Sequence, residues 1–154
     1  MIMFVLCESV AMRLHDHGLK GKTVQIHIRD NELFSFERQG KLPHISNLSG
    51  ELHEIAMQLF RANYNWSRPI RSAGVRVTDL CSADSYIQLS LFEDEEKRKK
   101  QEILEETVIE LRRCFGHHSI GRAVLLNDKM GKINPKETHT IHPIGYFKER
   151  LPHV

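Results

Sequence analysis

Three cysteines, one tryptophan and a net charge of only +2 leave these 154 residues with few features that announce a function. Cys7, Cys81 and Cys114 are odd in number, widely spaced and free of any CxxC pair. A disulfide framework is therefore not expected, and a reduced cytoplasmic compartment is. No run approaches the ~20 apolar residues a membrane span requires. The opening Met1–Cys7 stretch lacks a basic lead and is cut by Glu8, so neither a membrane anchor nor a secretory leader is expected. Phosphate-cradling GxxxxGKS/T, GxGxxG and GxSxG motifs are all missing, as are internal repeats and long low-complexity tracts.

The candidates for chemistry are weak. Ten histidines invite a metal site. His139 and His142 are three apart, but no third ligand has matching spacing, and solvated histidines are the better account. Cys81 has no identifiable base, and Glu105-Glu106 reads as a pair of solvated helix-surface acids. No catalytic residue, metal or cofactor is expected of this chain.

What is present is patterning. Residues 13–80 carry ten Lys/Arg against seven Asp/Glu, residues 93–113 six against eight, and residues 114–154 six against three. A mildly basic front and tail thus flank a mixed-charge middle, which permits phosphate contact without requiring it. Leu6, Val10 and Leu14 recur at helical spacing, and Gly18 suits a helix stop. From Thr23 to Arg29 the alternation is strict, with Val24, Ile26 and Ile28 on one side and Gln25, His27 and Arg29 on the other. Asp30-Asn31 offers a turn, and Phe34-Ser35-Phe36 restarts a strand that Pro43 is expected to end, with both phenylalanines on the core side. A second helix, with Leu48, Leu52, Ile55 and Leu59 as its stripe and Ser49 as N-cap, spans about 50–63. A third strand from Ile70 to Leu80 sets Ser72, Gly74, Arg76 and Thr78 opposite Ala73, Val75 and Val77. The expected fold is α+β: a small antiparallel sheet, two helices packed on one face, and an open polar face on the other.

A third, charged helix is expected from about Asp94 to Phe115, with Leu104, Val108, Leu111 and Phe115 as its apolar stripe. Residues 119–126 suit a short strand, and 127–154 a loose tail. Between strand and helix lies Gln88-Leu89-Ser90-Leu91-Phe92. Alternation allows a buried strand. The adjacent anchors Leu91 and Phe92 behind a glutamine amide equally suit an exposed peptide that docks into an apolar cleft. The residues themselves leave both readings open.

Several of these segments, in order, carry a resemblance. Gly18–Val24, Gln39–Pro43, Ile70–Val77, Gln88–Phe92, and Phe115-Gly116 followed by Ser119-Ile120 resemble the C-terminal "little finger" domain of Y-family translesion DNA polymerases. The resemblance is closest to the UmuC/DinB branch and its UvrX-like members, and covers roughly residues 5–123. It implies that the open face follows the phosphates of duplex or primer-template DNA without reading sequence. The DNA-binding residues would be Lys22, Gln25, His27, Arg29, Arg38, Lys41, Arg71, Ser72, Gly74 and Arg76. It implies that Gln88, Leu89, Ser90, Leu91 and Phe92 bind the replicative sliding clamp. The expected organisation is a DNA-binding domain over 1–80, a clamp-binding linker over 81–93, a charged helix and short strand over 94–126, and a tail over 127–154.

The family's palm domain, whose carboxylates hold magnesium for nucleotidyl transfer, has no counterpart in this sequence. The resemblance therefore implies a non-catalytic fragment acting in DNA repair in the bacterial cytoplasm, near the nucleoid. The family's little finger also begins with a strand ahead of its first helix. This sequence starts at or just before that helix, so the sheet is expected to lack one strand and to expose an edge open to self-association. Two rival readings share these residues: a free-standing module that occupies the clamp, and a small α+β RNA-binding domain. The second is weakened by the lack of stacking aromatics on the open face.

Overall fold

The structure is a computed structural model that describes residues 1–84 and 95–125. Its elements run α1 (Ile2–Asp16), β1 (Leu19–Asp30), β2 (Ser35–Ser46), α2 (Ser49–Asn63), β3 (Ile70–Ser82) and α3 (Glu95–Phe115), followed by a 3-10 turn at Ala123–Leu125. The three strands form one antiparallel sheet in the order β2-β1-β3, so β2 and β3 are its edges. This is the α+β architecture expected from the alternation.

Burial follows the two periodicities. Val24 and Ile26 are fully buried and Ile28 nearly so, which makes β1 the spine of the core. Against it α1 sets Met3, Cys7, Val10, Ala11 and Leu14, and α2 sets Leu52, Ala56 and Phe60, each set spaced for one helix face. Gly18 has φ +61 and follows α1, where left-handed backbone favours glycine. At Gly21 a Cβ would stand 2.2 Å from Val77 Cγ1, so only glycine lets β1 and β3 approach there.

Four expectations need correction. Ser49 is the first helical residue of α2 rather than its N-cap; that position is Leu48, whose N–H is held by the Ser46 hydroxyl at 3.1 Å. Pro43 does not end β2: the strand continues to Ser46, and pairing with β1 skips from Lys41 to Ser46 around the proline, which has no N–H to give. Phe34 sits in the turn and is 64% exposed, whereas Phe36 packs on the core. Of the segment 119–126, the described residues 119–125 form no strand. Arg112 Nε holds the Ile120 carbonyl at 3.0 Å, and Arg122 reaches Glu8 at 2.8 Å above the Phe4 ring. This segment is thereby drawn over α1 and away from the sheet edges.

The third helix is also oriented differently from its apolar pattern. Ile103, Leu104 and Phe115 are exposed, and the face turned to the body is mostly polar. Glu102 pairs with Lys20 at 3.3 Å, Arg98 with Glu51 at 3.2 Å, Arg112 with Glu8 at 3.6 Å and Arg113 with Asp16 at 2.6 Å. Ile109 is the one residue of α3 that the described structure buries. Glu105, expected to be solvated, belongs to this face and holds Ser49.

Candidate nucleic-acid interface

The face of the sheet opposite the helices is built by register. Directly paired residues share a side. The pairings give four cross-strand rows: Lys41–Thr23–Thr78, Gln39–Gln25–Arg76, Glu37–His27–Gly74 and Ser35–Arg29–Ser72. From Thr23 to Arg29 the face extends about 20 Å along the strands and about 10 Å across them. It is polar throughout.

Its charge is asymmetric. Lys41 on one edge and Arg76 on the other form no ion pair among the described residues, and Arg29 donates only to the Leu33 carbonyl, at 3.4 Å. Glu37 is the acid of the four rows, and its carboxylate is held by the Gln25 side-chain amide at 2.6 Å. Thr23, at the far end, donates to Asp79 at 2.5 Å. At Gly74 a Cβ would meet only the His27 Cβ, at 3.8 Å, so bare backbone is accessible there, on the strand that forms one edge of the sheet among the described residues. Spread cations, amide side chains and exposed backbone N–H groups are the donors that contact phosphates.

Of the ten residues expected to bind DNA, seven lie together on this face: Gln25, His27, Arg29, Lys41, Ser72, Gly74 and Arg76. Three do not. Arg38 pairs with Ile26 and so lies on the helix side, where Nε donates to Asn63 Oδ1 at 2.9 Å and the guanidinium rides 5.5 Å from the Phe36 ring centre. Lys22 shares the phase of Val24, on the helix side of β1, although exposed. Arg71 is the extra residue of a bulge, because the pairing jumps from Arg29–Ser72 to Asp30–Ile70. The stretch Gln88–Phe92 lies outside the described residues.

Sequence comparison decides the family. Residues 2–91 match the model of the impB/mucB/samB family C-terminal domain. The chain is 46% identical over 128 residues to a DNA polymerase IV of Acetivibrio thermocellus, covering 83% of this chain and 32% of that protein. It is 33% identical over 126 residues to a DNA polymerase IV of Clostridium acetobutylicum, covering 81% and 31%. A DNA polymerase IV of Treponema denticola is likewise 33% identical, over 131 residues covering 84% and 33%. The chain belongs to this Y-family C-terminal domain family.

The chain spans about a third of the length of the curated relatives it matches. In this Y-family C-terminal domain, sequence reasoning missed Ser35, Glu37 and Gln39 as members of the face, while Thr23, in the same phase, is buried. The signal was available: a strand that turns Phe36 inward must turn Ser35, Glu37 and Gln39 outward. The same count removes Arg38. Among the described residues, no group of three or more His, Cys, Asp or Glu could hold a metal, and no helix is long and apolar enough to cross a membrane.

Proposed function

We propose that this chain is the DNA-holding C-terminal part of a Y-family polymerase that acts in DNA repair, and that its open sheet face lies along duplex DNA. The observation that carries the reading is the face itself: Arg29, Lys41 and Arg76 spread over three strands, none answered by a carboxylate among the described residues. The about 10 Å width across three strands compares with the ~12 Å major groove. A face with this donor set positions phosphates and carries no dedicated base reader, so binding is sequence-independent.

In this reading the chain is not a polymerase by itself and requires no cofactor; magnesium and nucleotidyl transfer belong to the parts of the relatives that it does not match. Gln88–Phe92 binds the sliding clamp through Leu91 and Phe92, supported by the residue types and the family resemblance. The bacterial relatives support a cytoplasmic site of action. Among the described residues β2 and β3 are the edge strands, and self-association through one of them belongs to this reading.

The test is fluorescence anisotropy with labelled duplexes of unrelated sequence over a salt series. Three phosphate contacts predict a log–log salt slope of about −3. Arg76→Ala is expected to weaken every duplex alike and to lower that slope by about one. Failure to bind any duplex at low salt, or a sequence preference that persists at high salt, would overturn the reading. For the clamp peptide, Leu91→Ala with Phe92→Ala is expected to abolish capture by a purified clamp while leaving Tm unchanged; retained capture would sink it.

A further inference from the structure

Beyond the end of the polar face, the β1–β2 turn and the end of α2 line an open cavity of about 690 Å³ that the open-face reading does not use. Its walls are organised by two local devices. Asp30 Oδ1 accepts from the N–H groups of Glu32 at 2.9 Å and Phe34 at 3.0 Å, which fixes the turn and presents the Phe34 ring, 64% exposed, at the rim. On the other side the Tyr64 hydroxyl donates to the Arg68 carbonyl and locks the loop after α2. Tyr64 stacks on Phe60 with centroids 5.2 Å apart and at 6.4 Å from Phe36. Trp66, 71% exposed, stands edge-on to Tyr64 at 5.4 Å. Aromatic surface left this open to water is unusual for packing alone.

The charges around the aromatics choose the ligand. Arg68 is already answered by Glu32 at 2.8 Å and by Asp30 at 3.5 Å. Arg61, in the last turn of α2, forms no ion pair among the described residues. Arg38, over Phe36, bonds only to the neutral oxygens of Asn63 and of the Glu37 carbonyl. Two uncompensated guanidiniums beside stacked rings disfavour a cation and give a purely apolar peptide nothing to pair with them. They fit a planar aromatic group that carries its own anion, and the volume is ample for one nucleotide. A paired base keeps its π-faces hidden in the stack, so only an unpaired base can lie on these rings. The site is continuous with the polar face through Arg29, whose Nε reaches the Leu33 carbonyl in the same turn.

We propose that the cavity between the β1–β2 turn and the end of α2 binds an unpaired nucleotide of single-stranded DNA, with the base against Phe34 and Tyr64 and the phosphate on Arg61. This rests on the duplex-holding reading only in naming DNA rather than RNA. A strand leaving a duplex held on the open face would meet this cavity at the end of the sheet.

Trp66 is the single tryptophan of the chain and stands beside the cavity, so its emission reports occupancy. At low salt a twelve-residue oligothymidylate is expected to quench Trp66 saturably, and a blunt duplex of equal length is not. Phe34→Ala and Arg61→Ala are each expected to weaken the oligothymidylate by about tenfold and to leave duplex anisotropy unchanged. Arg76→Ala should do the reverse. Both substituted side chains are exposed, and an unchanged circular dichroism spectrum and Tm will show that each variant folds. Absence of quenching, quenching indifferent to Phe34→Ala and Arg61→Ala, or tighter binding of an acidic aromatic peptide than of oligothymidylate would overturn the proposal. Quenching by oligoribouridylate equal to that by oligothymidylate would overturn the choice of DNA. Quenching without duplex binding would uphold the cavity and remove the open-face reading; duplex binding without quenching would do the opposite.

Discussion

Glu105 of α3 caps α2 at Ser49: both carboxylate oxygens lie 2.9 Å from the Ser49 amide nitrogen, and one also accepts from the Ser49 hydroxyl. The residue before Ser49 is Leu48, which has no side chain to cap the helix, so the anion comes from another element. A carboxylate there satisfies the orphaned Ser49 N–H and meets the positive end of the helix dipole. Glu105→Ala is therefore expected to cost about 1 kcal/mol, in line with loss of a cap. The neighbouring Glu106→Ala, on an exposed residue, should stay within about 0.5 kcal/mol in the same urea titration. Equal effects of the two would show that the cap contributes nothing.

The attachment of α3 predicts a salt response. Its ties to the body run through Glu102–Lys20, Arg98–Glu51 and Arg112–Glu8, with Ile109 as its buried apolar contact. At 1 M salt the Debye length falls to about 3 Å, and part-exposed pairs weaken. Hydrogen exchange in α3 should accelerate with salt while β1 amides stay protected. Uniform protection across both would count against a polar dock.

Two histidines predict a pH response. Burial lowers the pKa of His15 below its ordinary 6.5, outweighing the pull of nearby Glu105 and Glu106, and lowers that of His53 for the same leading reason. Here the unfolded chain binds the proton more readily than the folded one. Stability from this source is fully present above pH 6.5 and is lost as pH falls through 6.5 toward the lower folded values. Tm should fall across that window, and less steeply in His15→Gln. A profile unaltered by that substitution would assign the loss elsewhere.

Thiol chemistry should divide the cysteines. Cys7 is fully buried, and its pKa is pushed up to about 12 by burial, whereas Cys114 is exposed. Since the thiolate is the nucleophile, a disulfide reagent at pH 8 should label Cys114 at once and Cys7 only on unfolding. Rapid labelling of Cys7 in the native protein would mean that the α1–sheet core opens readily.

On the interface, Glu37→Gln is expected to strengthen duplex binding severalfold by removing the acid of the four rows. Arg38→Ala should leave duplex affinity unchanged, since that side chain lies on the helix side with Asn63. An affinity loss for Arg38→Ala equal to that for Arg76→Ala would contradict the register argument.

The alternation of Val24, Ile26 and Ile28 against Gln25, His27 and Arg29 was enough to define the buried and open faces, because a two-residue period has no intermediate phase. The phase of β2 was equally legible, yet a basic residue at position 38 read as a phosphate ligand until its pairing with Ile26 placed it. The α3 stripe misled for a different reason. Leu104, Val108, Leu111 and Phe115 are correctly spaced for burial, but the partners that decide the docking face are Glu8, Asp16, Lys20 and Glu51, distant in the chain. Local spacing cannot weigh ion pairs formed across such separations. The aromatic cavity was hidden likewise, since Phe34, Phe36, Tyr64 and Trp66 converge only when the hairpin meets the end of α2.

The order β2-β1-β3 also sets when the polar face comes into being. β1 and β2 join through a short turn at Asn31–Phe34, but β3 reaches β1 only after the chain has passed through α2. Loop closure grows costlier with the length enclosed, so the hairpin is expected to form before β3 docks. Ile26→Val should then slow refolding, while Val75→Ala should chiefly speed unfolding. Until β3 pairs with β1, the half of the polar face that holds Ser72, Gly74 and Arg76 is missing, so the face is complete only when the whole sheet is.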